Sequence, residues 1–218
     1  MAERTGMGIG GIRLGSRAWC ALGTGMLAAM LAAAPEPDPV PKRWQLEVSA
    51  GQLRVATVRT DAGATAYLYF TYSTVNNTGE ELEFVPSFEL ATDDGEVLAS
   101  GVDIPAQVTR EILASLEQPF LEDQIDVIGP IGPGPENAKH GLVIWPLTDA
   151  DGDEIRVFGA GFSGESETLE LTDPRTGEAR RLVFRKTLMM RFQLPGMVDP
   201  ASRRSEPFEL VEQRWIMR

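Results

Sequence analysis

From Thr65 onward the chain alternates. One set of positions carries Ala66, Leu68, Phe70 and Tyr72, and the other Tyr67, Tyr69, Thr71 and Ser73. This is the period of a strand, built from β-branched and aromatic residues that suit a pleated surface. Rings on both faces predict that the strand is central. Asn76-Asn77-Thr78-Gly79 then supplies residues that tolerate or demand positive φ, and Leu82 and Phe84 resume the alternation against Glu81 and Glu83. Ala64 to Phe84 therefore predicts a hairpin to which the other strands are added.

The same pattern recurs on both sides. Trp44 to Ser49 and Gln52 to Thr60 alternate around Ala50-Gly51, while Phe88 to Thr92 and Glu96 to Ser100 flank the turn residues Asp93-Asp94-Gly95. The period changes at Ile104 to Glu117, where Val108, Ile112, Leu113 and Leu116 share a helical face between Pro105 and Pro119. One short amphipathic helix packed on the edge of a sheet is expected. Beyond it the pattern predicts a short strand at Gln124 to Ile128, then strands at Gly141 to Trp145, Ile155 to Gly159 and Thr168 to Leu171. A turn at Asp173 to Gly177 leads into a long strand, Arg180 to Leu194, and Pro207 to Met217 closes the fold. Gly129-Pro130-Ile131-Gly132-Pro133-Gly134-Pro135 reads as a surface loop, because its prolines lack the amides that a phosphate-binding loop must offer. It marks a division of the domain into halves near 129–139.

The first 34 residues follow another rule. Arg4, Arg13 and Arg17 precede an uncharged run from Ala18 to Ala34 that ends in three alanines before Pro35, the order of a secretory signal peptide. An uncleaved membrane anchor is the other reading of the same run. Cys20 sits at its start, away from any lipobox, and the arginines are not paired as twin-arginine export requires. Residues 35–43 alternate proline with other residues up to Pro41 and form a stiff, extended spacer. The β domain occupies 44–218.

Composition sharpens the expected compartment and partners. The 218 residues carry a formal charge of −12, and without residues 1–34 there remain 17 basic and 31 acidic residues, a charge of −14, with no cysteine. Such a chain is poorly suited to nucleic acid or anionic lipid. Its core must hold without disulfides or thiolate metal sites. The expected localisation is periplasmic or extracellular.

Candidate chemistry is sparse. Asp149, Asp151, Asp153 and Glu154 place carboxylates at alternate positions around Gly152, and calcium, a hard cation that takes several oxygen ligands, is the one cofactor this pattern admits. The twelve-residue EF-hand loop is not met, and a solvated loop is the plainer reading. On the last long strand, Leu182, Phe184, Leu188, Met190, Phe192 and Leu194 take one face, broken by Lys186, while Arg181, Arg185 and Arg191 take the other. That stripe could receive an anionic partner through bidentate contacts. Pairing with the protein's own acids is its simpler role. His140 is the only histidine, so zinc, copper and iron sites of usual composition are not expected, and a serine triad with Ser163, Ser166 or another serine lacks a nucleophile-elbow sequence. Asn76-Asn77-Thr78 matches the glycosylation pattern but is already explained as a turn. Tyr67, Tyr69, Trp44, Trp145 and Trp215 could form an aromatic platform or pack in the core.

The run YSTVNNTGEELEFVPSFELATDDGEVLASG from Tyr72 to Gly101 resembles the strand, Asn-Asn-Thr-Gly turn, strand and Asp-Gly hairpin of bacterial exported immunoglobulin-like domains. GLVIWP at Gly141 to Pro146, FRKTL from Phe184 to Leu188, Pro195-Gly196 and the terminal RWIMR are similar to a family of secreted bacterial proteins with a domain of unknown function. The similarity spans most of the chain after the signal segment, and its motifs are structural. It implies an immunoglobulin-like antiparallel β-sandwich with additional strands and one short helix, which the strand pattern independently suggests. It brings no activity with it. The expected function is that of a non-catalytic exported interaction or accessory domain, meeting a protein or an envelope polymer. The alternatives are a carboxylate-based hydrolase of an extracellular polymer and a calcium-dependent adhesion module.

Overall fold

The computed structural model describes residues 35–41, 43–60, 63–147, 153–172, 179–194 and 206–218. The signal segment with Cys20, Asp149, Asp151, the turn at Asp173 to Gly177 and the Pro195-Gly196 pair lie outside the described residues. In chain order the elements are β1 (Glu47–Thr60), β2 (Gly63–Asn76), β3 (Leu82–Phe84), β4 (Ser87–Thr92) and β5 (Val97–Ala99). Then come α1 (Ala106–Leu116), β6 (Leu121–Glu122), β7 (Gly129–Ile131), β8 (Gly134–Pro146), β9 (Glu154–Ala160), β10 (Ser166–Thr172), β11 (Ala179–Gln193) and β12 (Glu209–Met217). The chain is mainly β, as expected.

Two sheets enclose the main core. One runs β1-β2-β8-β6, and the other runs β10-β11-β9-β4-β5 with β12 also on β11. Leu53 and Val55 of β1, Leu68, Phe70 and Tyr72 of β2, and Val143 and Trp145 of β8 meet Leu90, Val157, Leu188, Met190 and Phe192 from the other sheet. Each such side chain contributes about 1.5–3 kcal/mol by leaving water. The other face of the four-stranded sheet is also apolar: Val58, Tyr67, Tyr69, Leu142 and Ile144 form a second cluster under Val108 and Ile112 of α1. Both sets of rings on β2 are thus covered, which is why the strand reads as central. The helix lies on a sheet face, not on an edge as expected, since only a face offers its apolar stripe a broad floor. The described residues from Pro35 onward belong to one compact unit.

Three further expectations are corrected. The predicted hairpin partner of β2, Leu82–Phe84, pairs instead with β7, because both edges of β2 are already taken by β1 and β8. Between them Asn76 is fully buried. Its Nδ2 donates to the carbonyls of Glu80 (2.7 Å) and Ile131 (2.9 Å), and its Oδ1 accepts from the amide (3.0 Å) and hydroxyl (2.7 Å) of Thr78. All four bonds an amide can make are made, so this asparagine holds a wide loop and has no nitrogen left for a glycan. The proline-rich run at 129–135 is not a loop but forms β7 and the start of β8, where its missing amides cost little on short, edge-like pairings. Gln124 to Ile128 is a turn, not a strand, because Asp123 Oδ1 accepts the amides of Ile125 (2.8 Å) and Asp126 (2.9 Å). Local side-chain capping there outcompetes a ladder.

Candidate functional site

The long strand β11 has two halves with different surroundings. Leu188 to Gln193 pair with β9 on one side, and Lys186 to Gln193 pair with β12 on the other. Among the described residues, Ala179 to Phe184 pair only with β10, and β10 has no other described element as a substantial neighbour. The chain from β9 through β10 therefore runs along one edge of β11, and its outer part leaves the sandwich as a two-stranded arm. Directly opposed residues share a face, so Leu169 lies with Leu182, Glu167 with Phe184 and Leu171 with Arg180 on the face that continues the core side. Among the described residues no second sheet covers that face: Leu182 is 40% and Leu171 37% exposed, and Val183 on the reverse is 54% exposed.

A buried ion pair marks where the arm begins. Lys186, the residue that breaks the apolar alternation, is 2% exposed. Its Nζ reaches Glu165 Oε2 at 2.8 Å and the Asp38 carbonyl at 3.0 Å, and it lies 5.8 Å from the centre of the Trp215 ring. The Asp38 amide donates back to Glu165 Oε1 at 2.9 Å. Burial pulls the Glu165 carboxyl up, but the hydrogen bonds from Lys186 and from the Asp38 amide, with the Lys186 charge, hold it below the ordinary carboxylate value. The proline-rich segment is thus pinned at Asp38 to the root of the arm.

The arginine stripe is not one site. Arg191 lies over the sandwich, where its guanidinium reaches Glu154 (3.0 Å) and Glu212 (2.9 Å), and Arg156 and Arg214 extend the chain of pairs. The hydrogen bond from Arg191, and then Arg156, holds the Glu154 carboxyl down against the opposing pull of burial; the hydrogen bonds to Glu154 and then Glu212 push Arg191 up. Arg181 lies on the arm, 3.2 Å from Glu170, both well exposed. Arg185 stands at the junction, where its backbone exchanges hydrogen bonds with Arg218. Self-pairing accounts for Arg181 and Arg191.

Of the calcium candidates, Asp153 and Glu154 are described. The Asp153 amide donates to Asp93 Oδ2 at 3.0 Å, and Glu154 spends its oxygens on Arg156 and Arg191, so as a ligand it would have to leave both. Among the described residues no cluster of three or more metal-ligating side chains occurs.

Two clefts flank α1. The larger, about 470 Å³, lies over Leu142 and Ile144 and is bordered by Arg110, Asp123, Gln124 and Asp126. Gly101 lines it: its φ of +72° is strained for any side chain, and a Cβ there would displace the Gln124 carboxamide packed against it. Asp123 is committed to the turn amides, as described above. The smaller cleft, about 310 Å³, contains His140, Ser73 and Gln118. His140 sits in β8 opposite Ser73, whereas Ser163 bonds the Trp44 carbonyl, so the histidine and that serine are not brought together. The carboxylates with resolved shifts, Asp94, Glu154 and Glu165, all move down, which is the wrong direction for a general acid. Nearby in the core, the Tyr72 hydroxyl is buried without a partner, and burial, then the charge of Glu122, push it well above the ordinary tyrosine range. The aromatic residues are core residues: Trp145, Tyr67 and Tyr69 are buried, and Trp44 and Trp215 pack against the main cluster.

No protein-family model matches the chain, and no curated protein or solved structure matches it.

Sequence reasoning missed the buried pair at the root, the pinned Asp38, and Arg180 on the apolar face of the arm. The lone lysine in an otherwise apolar face was the available signal for the first of these.

Proposed function

We propose that the chain is a non-catalytic exported interaction or accessory domain, periplasmic or extracellular, with an immunoglobulin-like sandwich as its scaffold and the β10–β11 arm as the part that meets a partner. The observation that carries this reading is the arm itself. It keeps an apolar face and a run of arginines clear of the body of an acidic protein, a costly arrangement for a monomer with no use for it. The signal-like first 34 residues and the resemblance to exported immunoglobulin-like domains support the compartment and the scaffold. A photo-crosslinking residue placed at Leu182, in the chain produced in its own host, yields discrete products, while the same residue at the exposed Ala114 of α1 yields none. Equal yields at both positions, or none at Leu182, overturn the proposal.

A further inference from the structure

The walls of the larger cleft beside α1 carry opposite charge. Ala106, Thr109, Arg110 and Leu113 recur at the spacing of one helical stripe, and all four line the cleft. Val108 and Ile112, on the neighbouring stripe, are buried against the sheet. The other wall is the turn after β6. Asp123 Oδ1 accepts the amides of Ile125 (2.8 Å) and Asp126 (2.9 Å), and the Asp123 carbonyl accepts the Val127 amide at 3.1 Å, so this wall is held in shape by its own bonds. Neither Arg110 nor Asp126 forms an ion pair with another described residue. Between them, Gln124 Oε1 is buried with no hydrogen-bond partner among the described residues. A buried acceptor left without a donor is costly, so such an atom marks a place where a donor is expected.

Each part of this lining calls for a different part of one ligand. The Arg110 guanidinium suits a carboxylate, which it can take as a bidentate fork. The Gln124 oxygen and the Asp126 carboxylate suit a cationic donor. Leu142 and Ile144 on the floor suit an apolar group, but they are already 1% and 4% exposed, so there is a place for one short side chain and none for a long acyl tail. A fatty acid would also bring no donor to Gln124, and a neutral sugar would leave both charges unmatched. We propose that the cleft binds a free apolar α-amino acid as its zwitterion, with the carboxylate on Arg110, the ammonium on Gln124 Oε1 and Asp126, and the side chain over Leu142 and Ile144 beside Leu113. Its volume, about 470 Å³, is ample for such a ligand, and an apolar floor with a few convergent polar groups is the form that small-ligand sites take. The site lies on the helix-covered face of the four-stranded sheet and stands independently of the reading of the arm.

Calorimetric titration of the full chain with L-leucine, L-methionine and L-phenylalanine tests the proposal, followed by the amide, the N-acetyl form and the doubly blocked form of whichever binds best. At least one of the three binds saturably, one per chain, and blocking either its carboxylate or its amine weakens binding at least tenfold. Arg110→Gln and Asp126→Asn each replace an exposed side chain without a described ionic partner; each leaves the melting temperature unchanged and weakens binding at least tenfold. In Arg110→Gln the penalty for the amide disappears, and in Asp126→Asn the penalty for the N-acetyl form shrinks, which a merely structural effect of either change would not produce. No binding of any of the three at millimolar concentration, or undiminished binding by either variant, overturns the proposal. Equal binding of the doubly blocked form overturns it too and places a neutral peptide segment in the cleft.

Discussion

The two halves of β11 are one strand with one alternation and two outcomes. From Leu188 to Phe192 the inward residues sit between a second sheet and flanking strands on both sides, and Phe192 is fully buried with its ring 5.8 Å from that of Phe70. From Ala179 to Phe184 the same alternation continues, with Leu182 and Phe184 in phase with Leu188, yet β10 is the single described strand beside it and nothing described covers the inner face. The strand pattern sets which side a residue faces. Whether that side is buried depends on what the topology brings opposite. The pair of Lys186 and Glu165 stands at the boundary, where a charged group can still be satisfied by a partner and a backbone carbonyl.

This contrast can be broken by measuring its cost. Phe192→Ala in the buried half is expected to lose about 4 kcal/mol by urea unfolding, whereas Leu182→Ala on the arm loses less than about 1 kcal/mol. Comparable losses would mean that the arm is covered. Lys186→Met at the boundary leaves Glu165 and the Asp38 carbonyl without their partner and costs about 3 kcal/mol; replacing Glu165 by Leu in the same chain recovers most of it, which a purely steric lysine would not show. The boundary also has a pH signature. Because the folded Glu165 carboxyl lies below its ordinary 4.5, the pair adds stability that is present above that value and is lost as the pH falls through the folded value. Unfolding midpoints of the wild type and Glu165→Gln therefore converge on acidification, and Asp94 and Glu154, which titrate in the same direction, cancel in the comparison. Smallest of all is Arg181→Ala, an exposed pair with Glu170, expected within about 0.5 kcal/mol of the wild type in thermal unfolding.

Much of the fold was legible because local patterns and topology agree. The double-sided rings of β2 announced a central strand, and Asp93-Asp94-Gly95 does join β4 to β5, whereas the two strands expected around Ala50-Gly51 are one strand, β1, with a register shift between Ala50 and Leu53. The failures share a physical cause. Leu82–Phe84 and Gly129–Ile131 are three-residue strands whose partner is fixed by a buried asparagine and by which edges are already filled, and neither is encoded locally. Gln124 to Ile128 looked like a strand until Asp123 claimed its amides. At the candidate site, the stripe of Arg181, Arg185 and Arg191 was readable as a common face. Its division between Arg191 over the sandwich and Arg181 on the arm was not, because it depends on which strands flank each half of β11. Lys186 was visible only as an interruption, since its partners are 21 and 148 residues away in the chain.

The most direct test of the central claim is hydrogen exchange along β11 in the free chain, resolved amide by amide. The account predicts that the amides of Leu188, Met190 and Phe192 exchange only on global unfolding and that those of Leu182 and Phe184, paired to β10, exchange through local opening. Uniform slow exchange from Ala179 to Gln193 would show that the arm is part of a closed sheet and would contradict the account.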